Sequence, residues 1–131
     1  AHALPFGSAC FDTVLVSHAI WLFADAPAFV ADARRVLTPG GRLVVVSNHP
    51  HYFLARSVVL AIAAAMGQRH VEPPPLLHRQ RDVEETLTHA GFVDIQSESF
   101  LVLPVPGFAW LDRTPLRRFG LSFVTEGRAP S

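Results

Sequence analysis

Histidine is the residue in this 131-residue chain with the widest range of chemistry, and the placement of the seven histidines decides which of them could act. His49, His51 and Tyr52 follow Arg42-Leu43-Val44-Val45-Val46-Ser47, a continuous apolar run of the kind that forms a strand buried on both faces. A neutral imidazole with its ordinary pKa of about 6.5 can take a proton from a hydroxyl, which makes His49 and His51 candidate general bases. The competing accounts are a helix cap or a solvent-facing ring. Ser17 and His18 end a second apolar run, Thr13-Val14-Leu15-Val16-Ser17, at the strand edge where open α/β sheets bind ligands. His70, His78 and His89 stand apart, without metal-ligand spacing to cysteine or carboxylates, and no metal site is expected.

The elements that would position these residues can be read from punctuation. Between the two runs, Phe29, Val30, Ala33, Val36 and Leu37 recur with helical period; Asp25 can cap that helix and Pro27 suits its first turn. Thr38-Pro39 stops it, with Gly40 as the natural left-handed C-terminal residue. Two buried strands joined by one amphipathic helix make a right-handed crossover in a parallel sheet. Pro50 to Met66 reads as a helix ended by Gly67, apolar on nearly every face in its second half. Asp82 and Glu85 have capping-box spacing ahead of a third helix with the stripe Val83, Leu87, Ala90. Phe92 to Val102 alternates as a half-solvated strand, and Gly120 to Thr125 supplies a last strand, antiparallel and at the edge.

Composition narrows the function classes. Eleven cations balance eleven anions, so the unopposed positive charge that grips nucleic acid is missing. Half of the residues are hydrophobic and mean hydropathy is +0.29, enough apolar surface to build one domain and exclude disorder. The longest apolar stretch, from Ser57 to Met66, falls well short of the about 20 residues a spanning helix needs. The single cysteine, Cys10, forbids an internal disulfide and is expected in a reducing, cytoplasmic setting.

Four segments, in order, carry a family resemblance: Ala1-His2-Ala3-Leu4-Pro5-Phe6, Phe11-Asp12-Thr13-Val14-Leu15-Val16-Ser17-His18, Ala33-Arg34-Arg35-Val36-Leu37-Thr38-Pro39-Gly40-Gly41, and Leu87-Thr88-His89-Ala90-Gly91-Phe92. Their order and spacing resemble the class I S-adenosylmethionine (SAM)-dependent methyltransferases, especially the small-molecule group that includes the ubiquinone and menaquinone enzymes. The resemblance implies the C-terminal half of a Rossmann-like α/β sheet with strand order 4-5-7-6 of the family. The family's Gly-rich loop and the acidic end of its second strand align before Ala1, so the chain alone is expected to be inactive. Residues 1–49 then hold the fourth and fifth strands and their helix, 50–80 the variable substrate region, and 81–131 the last helix and terminal strands.

By the same resemblance Ala1 and His2 lie beside the adenine of SAM, and Ser17 and His18 near its methionine part. Tyr52 and Phe53 open the substrate region and are candidate contacts to a small, hydrophobic methyl acceptor. The strand around Val14 is left as an apolar edge, open to a partner chain or to self-association. A noncatalytic half-domain that completes its sheet with another polypeptide is the alternative function.

Overall fold

A computed structural model of the chain describes residues 3–49, 52, 58, 61–62, 64–67, 79–100, 113–115, 120 and 122–131. Strand β1 (Phe11–Ser17) leads through a short 3-10 turn (Ile20–Leu22) to helix α1 (Ala26–Val36), which runs directly into strand β2 (Leu37–Asn48). Helix α2 (Gln80–His89), strand β3 (Val93–Phe100) and strand β4 (Ser122–Arg128) complete the described elements.

The strands form one sheet in the order β1-β2-β4-β3. β1 runs parallel to β2, while β4 is antiparallel to both β2 and β3. The C-terminal strand is therefore the antiparallel one, as expected, but it lies inside the sheet rather than on its edge. That placement satisfies the order 4-5-7-6 and leaves β1 and β3 as the edges.

α1 forms where its signals lie. The Asp25 carboxylate accepts from the Ala28 N–H at 2.9 Å, Pro27 occupies the first turn, and Val30, Ala33 and Val36 are buried. The helix ends one step earlier than the glycine suggests. Leu37 is already extended, and its N–H bonds the Ala33 carbonyl, so Gly40 (φ +77°) serves a bulge in β2 instead of a helix cap. α2 likewise begins three residues before the expected cap: Arg79 is the N-cap residue, and Asp82, in the first turn, accepts from its N–H at 2.8 Å. Gly67 has φ +90° and its N–H bonds the Ala64 carbonyl, which ends the preceding helical turn as expected.

Both helices pack on one face of the sheet. Pairing register puts Val14 and Val16, Leu43 and Val45, and Phe123 and Thr125 on that face, against Val30 and Ala33 of α1 and Val83 and Leu87 of α2. Thr125 is buried there with its hydroxyl 2.9 Å from that of Ser97, so the one polar side chain among the largest buried ones has a partner. The opposite face carries Leu15, 64% exposed, and the half-buried Val44, Val46 and Val124.

Candidate functional site

The carboxyl ends of β1 and β2 lie side by side because the strands are parallel, with Ser17 paired to Val46. Ser17 and His18 are both exposed at that end. His18 adopts the left-handed conformation (φ +50°), and its N–H continues the ladder by donating to the Val46 carbonyl at 2.8 Å. The turn this forces carries the chain off the sheet and leaves the strand end uncovered among the described residues. A groove of about 590 Å³ runs along the outer edge of β1, walled by Val14, Leu15, Phe11 and Phe29 and reaching Ser17.

β2 ends differently. His49 projects onto the helix-covered face, where its ring lies 5.0 Å from the buried ring of Phe123. Its Nε2 is 3.0 Å from the Ser99 hydroxyl on β3, which in turn donates to the Gln80 amide oxygen at the start of α2, 3.3 Å away. Asn48, on the other face, accepts from the Ser122 hydroxyl at 2.7 Å. The Tyr52 N–H bonds the His49 carbonyl at 2.9 Å, which starts the turn after the strand. Of the residues singled out in the sequence, Ser17, His18, His49 and Tyr52 are thus placed; Ala1, His2, His51 and Phe53 lie outside the described residues, as do His70 and His78.

The segment that enters β1 is held by α1. Asp32 accepts from the Leu4 N–H and from Arg35 Nε, while the Arg35 guanidinium donates to the carbonyls of Leu4 (3.1 Å) and Phe6 (2.8 Å). The hydrogen bonds from Arg35 and from the Leu4 backbone hold the Asp32 carboxyl below its ordinary pKa, and the Asp32 partner raises that of Arg35. Reading the sequence for chemistry missed this clamp and Ser99 and Gln80 alike. A helical Asp-x-x-Arg spacing predicts the Asp32–Arg35 pair, but not the backbone it grips.

The first third of the chain, residues 1–45, matches the model of the methyltransferase domain family. Demethylmenaquinone methyltransferase from Tropheryma whipplei (strain Twist) is 43% identical over 53 residues, spanning 40% of this chain and 22% of that protein. The ubiquinone/menaquinone biosynthesis C-methyltransferase of Paracoccus denitrificans is 48% identical over 46 residues, 35% of this chain and 18% of its own length. The matched segment is therefore about a fifth of the curated relatives. Among solved structures, a SAM-dependent methyltransferase from Thermotoga maritima superposes with TM-score 0.70 at 18% identity, over 96% of this chain and 59% of that one. The chain carries a class I SAM-dependent methyltransferase fold. Its β1, β2, β4 and β3 are the family's strands 4, 5, 7 and 6. A second neighbour, phosphoethanolamine N-methyltransferase 2 of Haemonchus contortus, was solved with S-adenosyl-L-methionine and superposes with TM-score 0.62 at 16% identity, over 96% of this chain and 35% of its own. No helix among the described residues is long and apolar enough to cross a membrane, and no group of three metal-ligating side chains occurs among them.

Proposed function

We propose that this chain forms the acceptor side of a SAM-dependent methyltransferase that modifies a small, hydrophobic molecule. One observation carries the reading: the family match over residues 1–45 coincides with the parallel β1-α1-β2 unit, whose carboxyl edge is where open α/β sheets bind ligands. The residues present fit the cofactor, since Ser17 and His18 offer a hydroxyl and an imidazole at an uncovered strand end beside a groove. Ser17, His18 and, upstream, Ala1 and His2 would hold it. SAM supplies a methyl group already activated on a sulfonium, so the chain's task is mainly positioning. His49 is the proton acceptor for a substrate hydroxyl, with Tyr52, His51 and Phe53 on the acceptor side. The relatives named for menaquinone and ubiquinone synthesis support a greasy acceptor.

Calorimetric titration of the purified chain with SAM and with S-adenosylhomocysteine tests this. Saturable binding is expected to be weak for the 131 residues alone, because the Gly-rich loop of the family resemblance is not among them, and methyl transfer by the isolated chain is expected to be absent. A folded chain that gives no heat with either ligand overturns cofactor binding by this polypeptide. A second reading, a half-domain that pairs with another polypeptide, is favoured by the unpaired edge of β1 and the exposed Leu15. Light scattering across a concentration series tests it, and a monomer at every concentration with no captured strand partner counts against it.

A further inference from the structure

Hydrogen-bond donors and acceptors around His49 are not interchangeable, and following them from the far end fixes where its proton sits. Glu84, on α2, is a carboxylate and offers only acceptors. The Gln80 amide nitrogen lies 3.1 Å from its Oε1, which settles the orientation of the Gln80 amide: Nε2 faces Glu84 and Oε1 faces away. That oxygen is the one 3.3 Å from the Ser99 hydroxyl. An amide oxygen cannot donate, so Ser99 must spend its single hydrogen on Gln80. Only lone pairs then remain on Ser99 Oγ toward His49 Nε2, 3.0 Å away, and His49 must be the donor. A neutral imidazole that carries its proton on Nε2 holds its basic lone pair on Nδ1.

We propose that Glu84, Gln80 and Ser99 form an orienting relay that fixes His49 as the Nε2–H tautomer and so makes Nδ1 the atom that accepts a proton from the methyl acceptor. The three are positioning residues, and none of them touches the reacting atoms. The relay rests on the reading of His49 as the proton acceptor, and it adds which nitrogen acts and what holds it there. The buried Phe123 ring against His49 and the attachment of the relay to two separate elements, β3 and α2, restrict rotation of the imidazole. The same residues make Ser99 an unlikely nucleophile on chemical grounds: its hydrogen is committed to Gln80, and His49 faces it as a donor rather than as a base.

Long-range ¹H–¹⁵N correlation of the uniformly labelled chain, above the ordinary imidazole pKa and with His49 assigned by loss of its signals in His49→Gln, reads the tautomer directly. The wild type is expected to show the Nε2–H pattern with a slowly exchanging ring proton. Gln80→Leu frees the Ser99 hydrogen to turn toward His49, and the Nδ1–H population should rise about fivefold, the equivalent of one net hydrogen bond. Gln80→Glu keeps an acceptor for Ser99 and should restore the wild-type pattern. Ser99→Ala, a smaller change in packing, should abolish the slow exchange of the Nε2 proton. An Nδ1–H tautomer in the wild type, or Gln80→Leu and Ser99→Ala spectra that match it, overturns the relay. None of these readouts needs SAM, so a chain that shows the tautomer pattern but fails to bind the cofactor counts against the proposed function and leaves the relay standing.

Discussion

Gly40 and Gly41 are adjacent, yet the structure requires glycine at each for a different reason, and the difference predicts opposite responses to the same pair of substitutions. At Gly40 φ is +77° and a Cβ would meet nothing within 4 Å, so the cost of a side chain is purely that of the left-handed backbone. Alanine there should cost about 1–2 kcal/mol, whereas asparagine, which tolerates that conformation, should cost only about 0.5 kcal/mol. At Gly41 a Cβ would stand 2.8 Å from the Thr38 carbonyl oxygen and 3.2 Å from that of Asp12, two backbone atoms that cannot swing aside. Nor can Gly41 itself shift freely, because its carbonyl accepts from the Ala129 N–H at 2.8 Å and ties β2 to the chain beyond β4. Overpacking of this kind costs about 1–3 kcal/mol, and the absence of a flexible neighbour puts Gly41→Ala at the upper end. For a domain of this size each kcal/mol moves the thermal midpoint by about 4 °C, so Gly41→Ala and Gly41→Asn should both lose about 12 °C while Gly40→Asn stays within about 2 °C of wild type. Thermal unfolding followed by far-ultraviolet circular dichroism reads all four variants. A neutral Gly41→Ala, or a Gly40→Asn as damaging as Gly41→Asn, would refute the assignment of one glycine to conformation and the other to close approach.

Three further outcomes follow from the same structure. Leu87→Ala removes a fully buried side chain that links α2 to the sheet and should destabilise by about 2–5 kcal/mol in urea unfolding, with little change in slope. Asp32 has a folded pKa below its ordinary 3.8, so the stability it contributes is present above that value and is lost as the pH falls through the folded one; Asp32→Asn should flatten the acid limb of the stability curve below about pH 4 without altering it near neutrality. Leu15→Lys places a charge on the exposed face of the edge strand and should lower concentration-dependent association in light scattering while leaving the unfolding midpoint within about 0.5 kcal/mol of wild type.

The sequence made local elements legible wherever a residue acts on its own neighbours. Asp25 and Pro27 start α1 as their chemistry dictates, and the β-branched runs at Val14 and Val44 are the two parallel strands. Boundaries slipped where tertiary pairing outweighed punctuation: Leu37 to Gly41 reads as a helix stop and turn, but it is drawn into β2 by Phe11 on one side and Ala129 on the other. β4 runs on to Arg128, past the expected end at Thr125, because both β2 and β3 offer it partners there. Strand order is a different kind of information. Periodicity says which residues share a face and nothing about which strand lies next to which, so the interior position of β4 was accessible only through the family resemblance.

The site divides along the same line. His49 was visible because histidine after a buried strand is chemically conspicuous, whereas Ser99 and Gln80 are common polar residues on an alternating strand and an amphipathic helix, where solvent is their ordinary fate. What gives them a role is β4. By inserting between β2 and β3 it sets Phe123 opposite both Ser47 and Ser99, and so brings the end of β2 within reach of a strand some fifty residues away. The two parallel strands therefore end in unlike surroundings. β1 finishes in the open with Ser17 and His18 exposed, as a strand must where a ligand is to approach its backbone. β2 finishes in a web of fixed donors and acceptors, as a side chain must where one nitrogen rather than the other is to take a proton. An exposed cofactor edge beside a constrained proton acceptor is the arrangement a positioning enzyme needs, and in this chain it is the antiparallel strand that builds the constrained half.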